Sequence, residues 1–119
     1  MSNTEVFRNY FADKEEAILE IAKEGKWPIS WVDKAGYEYP NHCHRDEETL
    51  YVVKGAIDIT DTTTGDVHSL NPGDKLFLPA RRNHSARSEN GAVYIMGVRT
   101  LVALDDHALP PETTHSQAS

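Results

Sequence analysis

The chain has one cysteine in 119 residues, so no disulfide can form within it. It has no apolar run approaching the length of a membrane-spanning helix. It is short of positive charge: 12 Lys and Arg stand against 19 Asp and Glu, a net charge of −7, with no basic stripe. That balance excludes the usual electrostatic footprint of proteins that bind nucleic acid or an anionic membrane surface. The opening residues, MSNTEVFRNY, lack the basic-then-apolar order of a secretory leader, so a cytoplasmic protein is expected. No repeat of roughly 20–50 residues is present, which excludes a solenoid or propeller. What remains is ordinary globular composition, 39% hydrophobic and 26% charged. A chain of this length forms one domain and buries roughly two-thirds of its unfolded surface.

Near the N-terminus, Asp13 can cap a helix and Glu16 stands three residues on, as in a capping box. Ala17, Ile18, Ile21 and Ala22 recur at helical spacing, Gly25 can close the helix, and Pro28 lies beyond it. The pattern predicts a short amphipathic helix over 14–24 that packs on a sheet. From Trp27 onward the texture is β. Strands are expected at 29–32, 49–53, 56–60, 66–70, 76–78, 83–87, 92–98 and 101–104, broken by Gly, Pro and Asn turns. Many short strands at close spacing indicate an all-β antiparallel sandwich or barrel. The expected division is an N-terminal extension over 1–26 carrying the helix, a barrel over 27–104 and a mobile polar tail over 105–119.

The stretch 36–55, GYEYPNHCHRDEETLYVVKG, concentrates the chemistry. His42, His44 and Glu48 are metal-ligand types within seven positions. On extended chain, residues two apart share a face, so the imidazoles of His42 and His44 stand side by side. Glu48 keeps that parity if the chain stays extended, whereas Glu47 does not. Cys43 alternates with the histidines and reads as a packed thiol. His68 sits in a hairpin, and His107 and His115 in the tail; all three read as solvated. Trp27 and Trp31 read as core or interface aromatics, and Arg81, Arg82 and Arg87 as a solvated loop near the mouth of the barrel. Tyr37, Tyr39, Tyr94 and Met96 are candidates to line a pocket.

The spacing Gly36, five residues, His42, one residue, His44, three residues, Glu48, six residues, Gly55 resembles the first cupin motif with every position filled. Gly73, five residues, Pro79, four residues, His84 resembles the second. Two positions depart from the family pattern: Arg81 stands where a glycine is usual and Ser88 where an asparagine is usual. If the Arg81 position needs positive φ, a non-glycine residue there costs on the order of 1 kcal/mol unless Asn83 takes the tight geometry.

The resemblance is to a small single-domain cupin. It implies a double-stranded β-helix, the jelly-roll barrel, with the short N-terminal helix outside it. It also implies that His42, His44, Glu48 and His84 meet on one divalent transition metal. The ligand types suit Fe, Mn, Ni, Co, Cu or Zn rather than Ca or Mg. Four protein ligands on an octahedral ion leave two positions open. The expected function is a metal-dependent enzyme acting on a small oxygenated metabolite, by dioxygenase-type cleavage or metal-assisted isomerase, cyclase or lyase chemistry. The alternative is a non-catalytic cupin that binds or senses a small ligand. A small-molecule partner and a homodimer are expected; nucleic acid and membrane partners are not.

Overall fold

The computed structural model describes residues 3–100 together with 110 and 111. Within them the chain forms β1 (Glu5–Phe7), α1 (Lys14–Lys23), β2 (Trp27–Asp33), β3 (Tyr37–His42) and β4 (Glu48–Gly55). There follow β5 (Ile57–Asp61), β6 (Asp66–Leu70), β7 (Lys75–Leu78), β8 (His84–Ser88) and β9 (Ala92–Val98). The strands make two antiparallel sheets, one ordered β1-β7-β4-β9-β2 and the other β3-β8-β5-β6. The two sheets face each other across an apolar core, the double-stranded β-helix that the two motifs imply.

Alternation along β4 shows how the sequence builds both sides of its sheet. Leu50 and Val52 point between the sheets, where they meet Ile57, Ile59, Leu76 and Met96. Tyr51 points the other way, onto Phe11, Ala17, Ile21 and Ile95 beneath α1. Both faces are covered, so the strand reads as a continuous apolar run rather than an alternating one. Helix α1 starts where expected: the Glu16 backbone N–H donates to Asp13 Oδ1 at 2.9 Å. The reciprocal arm differs from a capping box, because the Glu16 carboxylate accepts from the N–H of Ala12 rather than from the cap. Gly97 lets the helix come close. A Cβ there would stand 2.6 Å from Thr49 Oγ1 and 3.2 Å from Ile21.

One element has no sequence signal. Strand β1 is three residues long and carries no readable alternation, yet it pairs with β7 in register Glu5↔Phe77 and Phe7↔Lys75. The strand expected at 101–104, the tail, His107 and His115 lie outside the described residues, apart from Pro110 and Pro111. Among the described residues no helix is long and apolar enough to cross a membrane.

Candidate metal centre

The centre is assembled by strand register. Strands β3 and β8 are neighbours, and His42 lies opposite His84 in their ladder. Their ring centroids are 4.3 Å apart. Strand β3 ends at His42, and His44 stands two residues on, in the loop that crosses to the facing sheet. Its ring is 4.9 Å from that of His42 and 5.0 Å from that of His84. One ligand nitrogen from each of the three histidines lies within 4.8 Å of the others.

The His44 loop is held from the β7–β8 turn, where the Arg81 N–H donates to the His44 carbonyl at 2.9 Å. Arg81 does this at φ 62°, a left-handed conformation that favours glycine. The strain expected at this position is therefore carried by Arg81 itself, and Asn83 does not take it over. The guanidinium of Arg82 is held by Asp61 at 2.9 Å, and Arg87 faces Glu38 at the surface.

Glu48 arrives from the other sheet, as the first residue of β4. The chain bends at Arg45 and Asp46, so continuous parity from His42 does not bring Glu48 here. Its direction is set within β4, where it shares a face with Leu50 and Val52. Glu48 Oε1 lies 3.6 Å from His44 Nε2, at the border of the three-histidine group. Glu47 faces away, into ion pairs with Lys26 at 3.2 Å and Arg99 at 2.9 Å. Cys43 points away from the histidines, is fully buried, and its thiol donates to the Pro110 carbonyl at 3.3 Å.

The proton positions follow from the partners. His42 Nδ1 lies 2.7 Å from the Pro40 carbonyl, and His84 Nδ1 lies 2.9 Å from the Arg82 carbonyl. A carbonyl can only accept, so each Nδ1 carries the hydrogen and each Nε2 keeps a lone pair. These hydrogen bonds orient both imidazoles with Nε2 turned away from the backbone carbonyls, the nitrogen through which they could ligate. Burial also lowers the His42 pKa, against a smaller opposite pull from Pro40, and so favours the neutral form that a metal needs. Burial pushes the Glu48 carboxyl up to about 8; Lys26 opposes this and Asp46 adds to it. Three imidazoles and a carboxyl whose ionisation burial opposes form a donor set that a divalent cation would suit, since the cation would favour the carboxylate. The residues fit the ion that the motifs imply.

The three histidines open onto a cavity of about 140 Å³ between the sheets. Leu50, Ile57, Ile59, Leu78, Ala86 and Met96 supply its aliphatic lining. Trp31, Tyr39 and Tyr94 also line it. Of the tyrosines named as pocket candidates, Tyr39 and Tyr94 line the cavity, whereas Tyr37 is half exposed. Trp31 is a cavity wall, whereas Trp27 is exposed on the edge strand. A polar network that the sequence did not signal joins the aromatic residues. The Trp31 indole N–H donates to Tyr39 Oη, Tyr39 donates to Asp33 Oδ1, and Tyr94 donates to Asp33 Oδ2 at 2.9 Å. Burial pushes the Tyr39 phenol up to about 12 and raises that of Tyr94 further, with the Asp33 carboxylate adding to both. The network joins residues eight and 61 positions apart, which is why no local pattern announced it.

The family model for the cupin domain matches residues 30–98. Among solved structures, an RmlC-like cupin from Shewanella frigidimarina is 27% identical with a TM-score of 0.54; the match covers 61% of this chain and 65% of that one. A DUF861 family protein from Thermotoga maritima is 14% identical with a TM-score of 0.60, covering 81% of this chain and 99% of that one. The DMSP lyase DddQ from Ruegeria pomeroyi is 24% identical with a TM-score of 0.60, covering 72% of this chain and 44% of that one. The last two likenesses are of fold. Among curated proteins no match to the chain is found.

Proposed function

The chain belongs to the cupin domain family, and from that premise we propose that it is a metal-dependent enzyme acting on a small oxygenated metabolite. The observation that carries the reading is the convergence of His42, His44 and His84 within 4.8 Å on a mostly apolar cavity. In this proposal the three imidazoles hold one divalent transition ion through Nε2, and Glu48 completes the ligand set. Such an ion supplies Lewis acidity toward a substrate oxygen.

The rest of the reading concerns the chain's own side chains. Leu50, Ile59, Leu78 and Met96 give the cavity an apolar lining, in which electrostatic contacts are stronger than in water. The Pro40 and Arg82 carbonyls hold the hydrogens of His42 and His84 on Nδ1 and keep the opposite ring edges available. The buried Tyr39–Asp33–Tyr94 network holds two aromatic side chains of the cavity wall in place. Redox-neutral elimination or isomerisation and dioxygenase-type cleavage are the two reaction classes such a site would serve.

Metal analysis of the untagged protein tests the proposal. We expect about one equivalent per chain, lost in His42→Ala and in Glu48→Ala and kept in Glu47→Ala. Metal retained in Glu48→Ala but lost in Glu47→Ala would reverse the carboxylate assignment. Turnover of small carbonyl and hydroxy acids that is equal with and without air supports the redox-neutral class. Tight binding without product under both conditions would make the protein a ligand-binding cupin instead. We also propose a homodimer, because the edge strand β2 exposes Trp27 and Val32. A monomer by light scattering at micromolar concentration overturns that part.

A further inference from the structure

Beyond the histidines, the cavity lining has almost nothing polar to set against a ligand. Among the described residues it holds no lysine, arginine, aspartate, glutamate, serine, threonine, asparagine or glutamine. The other polar side-chain groups on it are the indole N–H of Trp31 and the phenols of Tyr39 and Tyr94. Their hydrogens are committed elsewhere: the indole donates to Tyr39, and the two phenols donate to the two oxygens of Asp33. Asp61 stands opposite His84 in the β5–β8 ladder, but its carboxylate is held by Arg82 and Thr4, each at 2.9 Å, away from the lining. A ligand therefore meets polar partners at the histidine centre and apolar surface on the rest of the wall.

Size follows from one side chain. Ala86 is the smallest residue of the lining; leucine, isoleucine, methionine and aromatic side chains supply the rest of it beside the histidines. It lies two residues beyond His84 on β8 and on the same face, with Tyr39 opposite it in one neighbouring strand and Ile59 in the other. A longer side chain at this position would reach into the space beside His84, and alanine leaves that space to a ligand. The cavity measures about 140 Å³. An apolar cavity of about 150 Å³ takes up a benzene molecule, so the room fits a body of about one six-membered ring. A second charged group brought into it loses its hydration and meets no partner, which is costly.

We propose that the site takes a small carboxylate or carbonyl compound with one oxygen-donor end and an uncharged, apolar body of up to about one ring, and that Ala86 is the residue that sets this size. The oxygen end belongs to the histidine centre, so that part rests on the metal reading given above; the fit of the apolar body does not. Dicarboxylates, sugars and amino acids are disfavoured by the same lining. Each brings a second charged or hydrogen-bonding group to a wall that has no partner for it.

The test titrates matched carboxylates into the full chain loaded with zinc, a redox-inert ion, and reads affinity by calorimetry. Benzoate is expected to bind about tenfold or more tighter than acetate, because its ring is buried. It is expected to exceed terephthalate and naphthoate by a similar factor, since the first adds a second charge and the second an oversized body. In Ala86→Leu the advantage of benzoate over acetate falls to near unity, while zinc content and acetate affinity stay unchanged and report an intact fold. In Ala86→Val the loss is smaller and in the same direction. Benzoate no tighter than acetate in the unmodified protein overturns the proposal, and so does terephthalate or naphthoate binding as tightly as benzoate. Unchanged benzoate affinity in Ala86→Leu overturns the role of Ala86. The ranking of probes is read without any substitution, so a variant that does not fold leaves the test intact. A chain that binds no zinc overturns the metal reading separately. Benzene uptake by the metal-free protein, followed by NMR and lost in Ala86→Leu, then still supports the apolar room, and absence of uptake overturns it.

Discussion

Two clusters of polar side chains lie on opposite faces of the sheet that contains β4 and β7. On the outer face Lys75 Nζ meets Glu24 at 2.6 Å and sits over the rings of Tyr10, Phe7 and Tyr51 at 4.5 to 5.4 Å. Tyr51 donates to the same carboxylate at 2.8 Å. Every charge there is met by an opposite charge, a donor or an aromatic face. On the inner face three imidazoles gather instead, with the Glu48 carboxyl 3.6 Å from His44 Nε2, all of them metal-ligand types. A cluster of complementary partners closes on itself and serves the fold. A cluster of metal-ligand types could hold a metal ion. Burial alone does not separate the two; complementarity does.

The largest effect that breaks this comparison is on metal content. His84→Ala removes the cross-strand partner of His42 and should weaken metal binding at least about a hundredfold, measured by competition with a chelator, while leaving the outer cluster untouched. Next is Lys75→Ala. It leaves the Glu24 carboxylate with Tyr51, Thr49 and Lys26 but empties the aromatic cage, and should cost about 1–3 kcal/mol in denaturant unfolding with metal stoichiometry unchanged. Loss of metal in Lys75→Ala would show that the two faces are coupled.

A smaller effect separates the clusters by pH. Burial raises the Glu24 carboxyl, but hydrogen bonds from Lys75 and Tyr51 and the charges of Lys75 and Lys26 outweigh it and hold the pKa below its ordinary value. A carboxyl depressed in the folded state stabilises above its unfolded pKa, and that contribution is lost as pH falls through the folded one. The stability gap between the unmodified protein and Glu24→Gln should therefore be full at pH 6 and shrink below about pH 4.5. Metal loss should come earlier on the same descent, as the histidines protonate below about pH 6.5. A gap in Glu24→Gln that tracks metal loss would contradict the separation.

The smallest effect concerns the loop that holds His44. Arg81→Gly relieves a left-handed residue but loosens the unfolded chain, so the net gain should be under about 1 kcal/mol. Its readout is thermal unfolding of the metal-free protein.

Much of this was legible in the residues. The strand Ala92–Val98 and the hairpin strand Asp66–Leu70 follow from apolar and β-branched runs bounded by Gly, Pro and Asn. The helix is legible through Asp13 and its apolar stripe, and His42, His44 and His84 through motif spacing. Strand β1 and the Tyr39–Asp33–Tyr94 network were not. Three residues hold no period, and hydrogen bonds between distant positions leave no local trace.

What the sequence determined by itself was the alphabet of the site and the parity of each strand: which side chains share a face, and that two histidines two residues apart can converge. Those are local consequences of backbone geometry. Only the tertiary structure decided that His84 stands opposite His42, because that depends on the pairing of β3 with β8. It also decided that Glu48 enters from the facing sheet, after a bend that breaks the parity used to choose it. Finally, it placed Asp33 behind two phenols from separate strands. Convergence of side chains that are far apart in sequence is a property of how the sheets pair and pack, and no local pattern encodes that.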